Sequence, residues 1–309
     1  MTESIINEKD IKKADVVLLS ASYEKTASSH KGTAEGPKAV IGQLSRQIEF
    51  FDRKFKCEPT DFIKTAKFDL GNLDKYAPEK ALGIITDKCV KLGEDGKFIF
   101  LLGGEHSVSL GALQALSKKH KSKDVTIVQI DAHCDLRNDD GDYSDDPSNY
   151  AHSCVMRRAS ELGFPLVQVG IRTYSRDEYN YFSNPKNNVK TFEWGTSTPA
   201  KATPQEGNKT WQPPSVNTIM KAIKTKYVYI TIDVDGFDPA YMPGTGTAVQ
   251  GGLEWWYGIN LLEKIINKKE LVGADIVEVS PQKETVLTEY GAAQLCYTML
   301  ANKFRKRFK

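Results

Sequence analysis

Three short stretches of the chain gather residues that bind cations or move protons. Asp131-Ala132-His133-Cys134-Asp135 follows a run of β-formers at 125–130. Side chains alternate in an extended segment, so Asp131, His133 and Asp135 are expected to converge while Ala132 and Cys134 point away. Asp233-Val234-Asp235 follows a second such run at 227–232, and the same period aims both carboxylates to one side. Gly103-Gly104-Glu105-His106-Ser107 follows a third, at 98–102, and its glycines let the backbone turn sharply and deliver His106. Four carboxylates in one place repel and raise one another's pKa. No Lys or Arg stands inside these motifs in a matching position to compensate. Divalent cations would do so. A donor set rich in oxygen, with a histidine minority and no thiolate, favours Mn²⁺ over Zn²⁺. Six ligands exceed what one ion with an open position uses and suit two ions that share bridging aspartates.

Each motif alone has a plainer reading. Asp-x-His at a strand end is often a hydrogen-bonded turn, and Asp-x-Asp is often a helix cap. Three of them, each after a strand, are hard to explain that way. Two further residues stand near the cluster in sequence or at a strand end. His152 opens a helical stretch after an acidic loop; it suits a proton shuttle or a helix-start residue making local hydrogen bonds. Glu278 ends the last apolar run, where it could hold a cationic substrate or pair with a neighbouring Lys or Arg.

The elements that must position these groups alternate. Strand-like runs fall at 15–20, 66–70, 98–102, 125–130, 166–171, 189–192, 227–232 and 274–279. Helix-like stretches between them fall at 37–51, 78–92, 107–118, 152–162, 176–182, 216–224, 255–267 and 288–304. Such alternation implies parallel βαβ crossovers, and the carboxyl ends of parallel strands share one edge where ligands bind. Periodicity alone does not choose between a closed barrel and an open sheet. Two segments break the alternation: 138–150, with five aspartates, and 195–214, rich in Thr, Pro, Ala and Lys.

Composition narrows the classes. The 309 residues carry 42 Lys+Arg against 40 Asp+Glu, a formal charge of +2, so no broad basic field exists to hold nucleic acid. No apolar run approaches the length of a membrane span. The first 13 residues lack a secretory apolar stretch, and five scattered cysteines never spaced CxxC suit a reduced, cytoplasmic protein.

In content and order, GGEHS at 103–107, DAHCD at 131–135 and DVDGFDPAYMPGTGT at 233–247 resemble the signatures of the ureohydrolase family, the arginases and agmatinases. The resemblance runs from residue 31 to Glu278. It implies a single domain over 1–309 with a three-layer α/β/α fold and an eight-stranded, mainly parallel open sheet. It also implies two Mn²⁺ ions, one held by His106, Asp131, Asp135 and Asp233 and the other by Asp131, His133, Asp233 and Asp235. In the family's chemistry a hydroxide bridging the ions attacks a guanidinium carbon. By that resemblance Asp135 is catalytic, orienting the hydroxide and accepting its proton. His152 touches the substrate and carries a proton to the leaving amine, and Glu278 pairs with the guanidinium.

DLR at 135–137 and HSCVMRR at 152–158 look most like agmatinase, which makes urea and putrescine from agmatine in polyamine metabolism. The acidic 138–150 loop suits a small guanidino substrate with a cationic tail. Arginase, guanidinobutyrase and formiminoglutamase activities at the same site are alternatives, as is an inactive metal-binding paralogue that acts as a regulator. Gln250 stands where the family pattern has proline, and 195–214 is longer than expected. The family also implies a homo-oligomer, trimeric or hexameric.

Overall fold

The computed structural model describes residues 4–195 and 211–308. Most of the 195–214 segment therefore lies outside the described residues. Eight strands form one sheet: β1 (Val16–Ser22), β2 (Thr65–Asn72), β3 (Phe98–Gly103), β4 (Val125–Ile130), β5 (Leu166–Ile171), β6 (Val189–Glu193), β7 (Tyr227–Asp233) and β8 (Glu270–Val277). Their order is β2-β1-β3-β8-β7-β4-β5-β6, and every pairing is parallel. The sheet is open, as the family resemblance implies, and β8, last in sequence, lies between β3 and β7.

Strands buried on both faces split their side chains between two cores. In β4, Val128 and Ile130 join one apolar cluster while Val125 and Ile127 join the other. Helices α1 (Gly36–Arg46), α6 (Val216–Ala222), α7 (Trp255–Lys268) and α8 (Leu287–Phe304) cover the first face. Helices α2 (Pro78–Glu94), α3 (Val108–Lys119), α4 (Val155–Glu161) and α5 (Arg176–Ser183) cover the second. Cys134 is buried in that second core, as alternation predicts. The five cysteines are free thiols. Among the described residues no helix is long and apolar enough to cross a membrane.

Two differences from the expected elements have local causes. The last strand begins at Glu270, not at residue 274, because pairing with β7 starts at Tyr227↔Glu270 and carries a charged residue and Gly273 into the sheet. Helix α1 stops at Arg46, although apolar residues continue to Phe51. Asp52 instead accepts the amides of Lys54 and Phe55 and turns the chain.

Candidate active site

The predicted ligands leave the carboxyl ends of three strands close together in the sheet. β3 delivers His106, β4 delivers Asp131, His133 and Asp135, and β7 delivers Asp233 and Asp235. The close fit shows at Gly104, where a Cβ would lie 2.0 Å from the Tyr23 carbonyl oxygen. The extended period does not persist through 131–135: Asp135 takes φ 54°. Its carbonyl accepts the amides of Met156 and Arg157, each at 3.0 Å, and this holds the left-handed turn. The side chains nevertheless converge.

His106 Nδ1 lies 2.9 Å from Asp135 Oδ2, 3.1 Å from Asp131 Oδ2 and 3.6 Å from Asp233 Oδ2. His133 Nδ1 lies 3.1 Å from Asp235 Oδ2 and 3.6 Å from Asp131 Oδ1. Ligand atoms of His106, Asp131 and Asp135 lie within 4.8 Å of one another, as do those of Asp131, His133 and Asp235. Asp131 therefore belongs to both groups, through different oxygens. Asp233 flanks the first, and its other oxygen accepts the Asp235 amide at 2.9 Å.

The tautomer of His106 tests whether cations fit. Its Nε2 sits 2.8 Å from Thr231 Oγ1, and the Thr231 hydroxyl donates to Asp275 at 2.5 Å. That hydroxyl proton is spent, so Nε2–H of His106 must be the donor. In the neutral ring Nδ1 then presents a lone pair to three carboxylates. It is buried and has no hydrogen-bond partner. Lone pair against anions is repulsive unless something positive lies between them, and two histidines with four carboxylates suit divalent ions.

Without cations, protons take their place. Burial opposes charge on His106 and His133, but hydrogen bonds and attraction from Asp131, Asp135 and Asp235 hold both well above the ordinary value. Burial, with repulsion from Asp131, pushes Asp135 up to about 7. Burial and repulsion from Asp235 raise Asp233 well above its usual range. Asp131 alone moves down: burial opposes its charge, but the two histidines outweigh that.

A group that binds its proton more tightly when folded stabilises the fold below its unfolded pKa and loses that stabilisation as pH rises through its folded pKa. For Asp135 the window runs from about 4 to about 7, and for the histidines it starts near 6.5. The chelated protein is therefore expected to melt at a lower temperature at pH 9 than at pH 6, by scanning calorimetry. A higher melting temperature at pH 9 would refute this assignment of the cluster.

Glu278 directly follows β8 at φ 62°, an unusual conformation for a residue other than glycine. Its amide donates to the Gly104 carbonyl at 2.8 Å, and its Oε1 accepts the His106 amide at 2.7 Å. Burial, with repulsion from Glu105, raises its pKa well above the usual range. Among the described residues no Lys or Arg pairs with it; its ionisable neighbour is His152, whose Nδ1 is 3.9 Å away. His152 opens a short 3₁₀ turn that leads into α4. Its Nε2 is buried and unpartnered. Burial, then the nearness of His133 and His106, lowers its pKa to about 4.

A cavity of about 220 Å³ opens on this cluster. His133, Asp135, Asp233, His152 and Thr247 line it together with Arg137, Tyr174, Ser175 and Glu178. None of the five loop aspartates lines it. Asp140 is buried and accepts the Ser148 amide at 2.5 Å, and Asp142 pairs with Arg137. The acidic wall is instead Glu178, buried on α5. A larger cavity of about 780 Å³ lies at the opposite edge of the sheet. Four of its cations are engaged: Lys97 caps the carbonyls of Lys12 and Ala14, Lys119 that of Gly93, Lys303 that of Leu271, and Arg307 pairs with Asp15.

Sequence reading did not find the supporting residues. Thr231 and Tyr229 both donate to the buried Asp275. Gln129 donates to Asp131 Oδ2 at 2.7 Å and is itself braced by Gln168 at 2.6 Å. Arg172 donates to six backbone carbonyls, those of Gly170, Asp235, Gly236, Phe237, Val249 and Gln250. The available signal was polar side chains within apolar strands, since such groups are buried only with partners.

Comparison with known proteins bears on the family and the fold. The model of the arginase family matches residues 14–301. An N(1)-aminopropylagmatine ureohydrolase from Synechocystis is 33% identical over 93% of this chain and 88% of its own length. An agmatinase from Halalkalibacterium halodurans is 30% identical over 90% of this chain and 88% of its own. The crystal structure of an agmatine ureohydrolase from Thermoplasma volcanium superposes with a TM-score of 0.78 at 26% identity, covering 100% of this chain and 95% of that one. With its motif residues gathered at one sheet edge and a family match over most of its length, the chain belongs to the arginase family.

Proposed function

We propose that the protein hydrolyses a linear guanidino compound with a cationic tail, agmatine or N(1)-aminopropylagmatine, to urea and an amine. The observation that carries this reading is Asp131, whose two oxygens join two ligand groups beneath a cavity walled by a buried carboxylate. His106, Asp131, Asp135 and Asp233 would hold one Mn²⁺, and Asp131, His133, Asp233 and Asp235 the other. When bound, the two ions supply the Lewis acidity that makes water a nucleophile near neutral pH.

The rest is the work of the chain. Asp135 faces the cavity and would accept the nucleophile's proton. Glu278 would align the guanidinium. His152, neutral at physiological pH and with a bare Nε2, can take a proton and give it to the leaving nitrogen. Glu178 would face the ammonium of the tail. A carboxylate tail would need a free Arg137, which instead pairs with Asp142. The names of the relatives support the same substrate class.

The test is urea release by the Mn²⁺-loaded protein from agmatine, N(1)-aminopropylagmatine, arginine and guanidinobutyrate. One of the first two is expected to exceed arginine at least about tenfold in kcat/KM, a difference of about 1.4 kcal/mol in transition-state binding. Urea from none of them, or a preference for arginine, would overturn the reading.

A further inference from the structure

An aromatic cluster adjoins the cavity of about 220 Å³. Tyr174 lines the cavity, and α5 contributes Tyr179 and Phe182, which pack on that ring. The rings of Tyr174 and Tyr179 are nearly parallel, 23° apart, with centroids 6.2 Å apart. Phe182 meets each of them edge-on, at 5.3 and 5.4 Å, and so fixes the pair. The segment is held further by a capping box, in which Ser175 and Glu178 satisfy each other's amides. Despite this rigid support, Tyr174 remains 36% exposed and Tyr179 47%. Packing alone does not explain two large, fixed, exposed rings beside a polar cavity.

A carboxylate completes the cluster. The Tyr174 hydroxyl donates to Glu193 at the end of β6. A cation leaving the cavity along this wall would meet an aromatic face and a carboxylate together, the combination that recognises alkylammonium groups. The nearby Arg176 lines a neighbouring cavity and not this one.

We propose that Tyr174, Tyr179 and Glu193 form a subsite for a second ammonium, one placed beyond the amine of an agmatine-length tail. The subsite rests on the function proposed above and names its preferred substrate: a guanidine whose tail amine is extended by an aminopropyl arm. The tail's inner, secondary ammonium faces Glu178, as agmatine's own amine would. Three methylenes then carry the outer ammonium past Ser175 onto the Tyr174 ring. Phe182 keeps the shelf in place whether or not it is occupied, so little side-chain freedom is lost on binding.

The experiment compares N(1)-aminopropylagmatine with N(1)-propylagmatine, which has the same reach and lacks the outer amine. Urea release from both is measured with the Mn²⁺-loaded wild type and with Tyr174→Leu, Tyr179→Leu and Glu193→Gln, the preference being read as the ratio of KM values, and each compound that releases no urea is titrated calorimetrically instead. Wild type is expected to bind the aminopropyl compound more tightly. Tyr174→Leu and Tyr179→Leu are each expected to reduce that preference by about two- to fivefold, the range for an exposed cation–π contact, and Glu193→Gln by up to about fivefold, the range for an exposed ion pair. Tyr179→Leu lies outside the cavity wall and guards against local damage at Tyr174. No preference in wild type, or equal weakening of both compounds in the variants, would overturn the subsite. Urea release reads the proposed function separately: binding with the expected preference but without urea would refute the hydrolase reading and leave the shelf standing.

Discussion

Asp131→Asn is expected to lower kcat/KM by on the order of a thousandfold or more, the several kcal/mol that metal-assisted hydrolysis draws from its ions. Asp131 is common to both close-packed groups of donors, and with Asp233 it is one of the two residues proposed to serve both ions. Asparagine keeps the shape but replaces one carboxylate oxygen with an amide nitrogen. That nitrogen cannot bind a cation, and as a donor it cannot accept a bond. If it replaces Oδ2 it faces the Gln129 amide, itself a donor; if it replaces Oδ1 it faces the backbone amide of His133. Either orientation loses one ligand and sets donor against donor. Metal analysis after gel filtration is expected to fall from about two ions per chain to one or none. The fold should persist, because the strands that carry the cluster are held by their own apolar cores. An unchanged far-ultraviolet spectrum checks that point. Two retained ions with normal turnover would remove Asp131 from the centre of the scheme.

His152→Asn is expected to cost about 10² to 10⁴ in kcat, the usual worth of a positioned proton-transfer group, with little change in KM. The side chain lines the cavity, 3.9 Å from Glu278 through Nδ1, and its other nitrogen is bare. A merely structural histidine at the start of the 3₁₀ turn would act through its backbone amide, which contacts Thr26 Oγ1 at 3.3 Å and survives the substitution. Two readouts separate the roles. Metal content should stay at the wild-type value, because His152 lies outside both ligand groups. Added imidazole should restore part of the turnover by entering the space the ring has left. Loss of metal, or failure of imidazole with KM raised instead, would assign His152 to packing or to substrate binding alone.

The convergence of the six candidate ligands was legible because its logic is local. Each motif sits directly after an apolar strand, and strand ends in a parallel sheet share an edge. β4 and β5 were located to the residue for the same reason. What was not legible depends on partners far apart in the chain. Thr231 and Asp275 bond across adjacent strands 44 residues apart, and Arg172 gathers carbonyls from as far as Gln250. The acidic loop was misread for a related cause. Counting aspartates gives the charge of a segment but not its direction: Asp140 turns inward to close its own loop, and Asp142 is taken up by Arg137. Glu178, the carboxylate that faces the cavity, looked like an ordinary residue of a helix's first turn.

The position of β8 bears on how such a site comes into being. Ribosomes release the chain amino end first, and domains form in that order where they can. Here the edge groups β2-β1-β3 and β7-β4-β5-β6 have no strand pairing with each other, and the strand that joins them is translated last. His106 belongs to one group, and the five other candidate ligands belong to the other. A nascent chain halted before residue 270 can hold both sets of donors, yet nothing fixes the distance between them. Seating β8 is also a long-range, all-parallel pairing step, the kind that proceeds slowly. The four residues proposed for one ion, Asp131, His133, Asp233 and Asp235, sit on the directly paired β4 and β7 and do not wait for β8; the set that includes His106 is completed only when β8 is seated, so under the proposed function the two ion sites would mature in sequence.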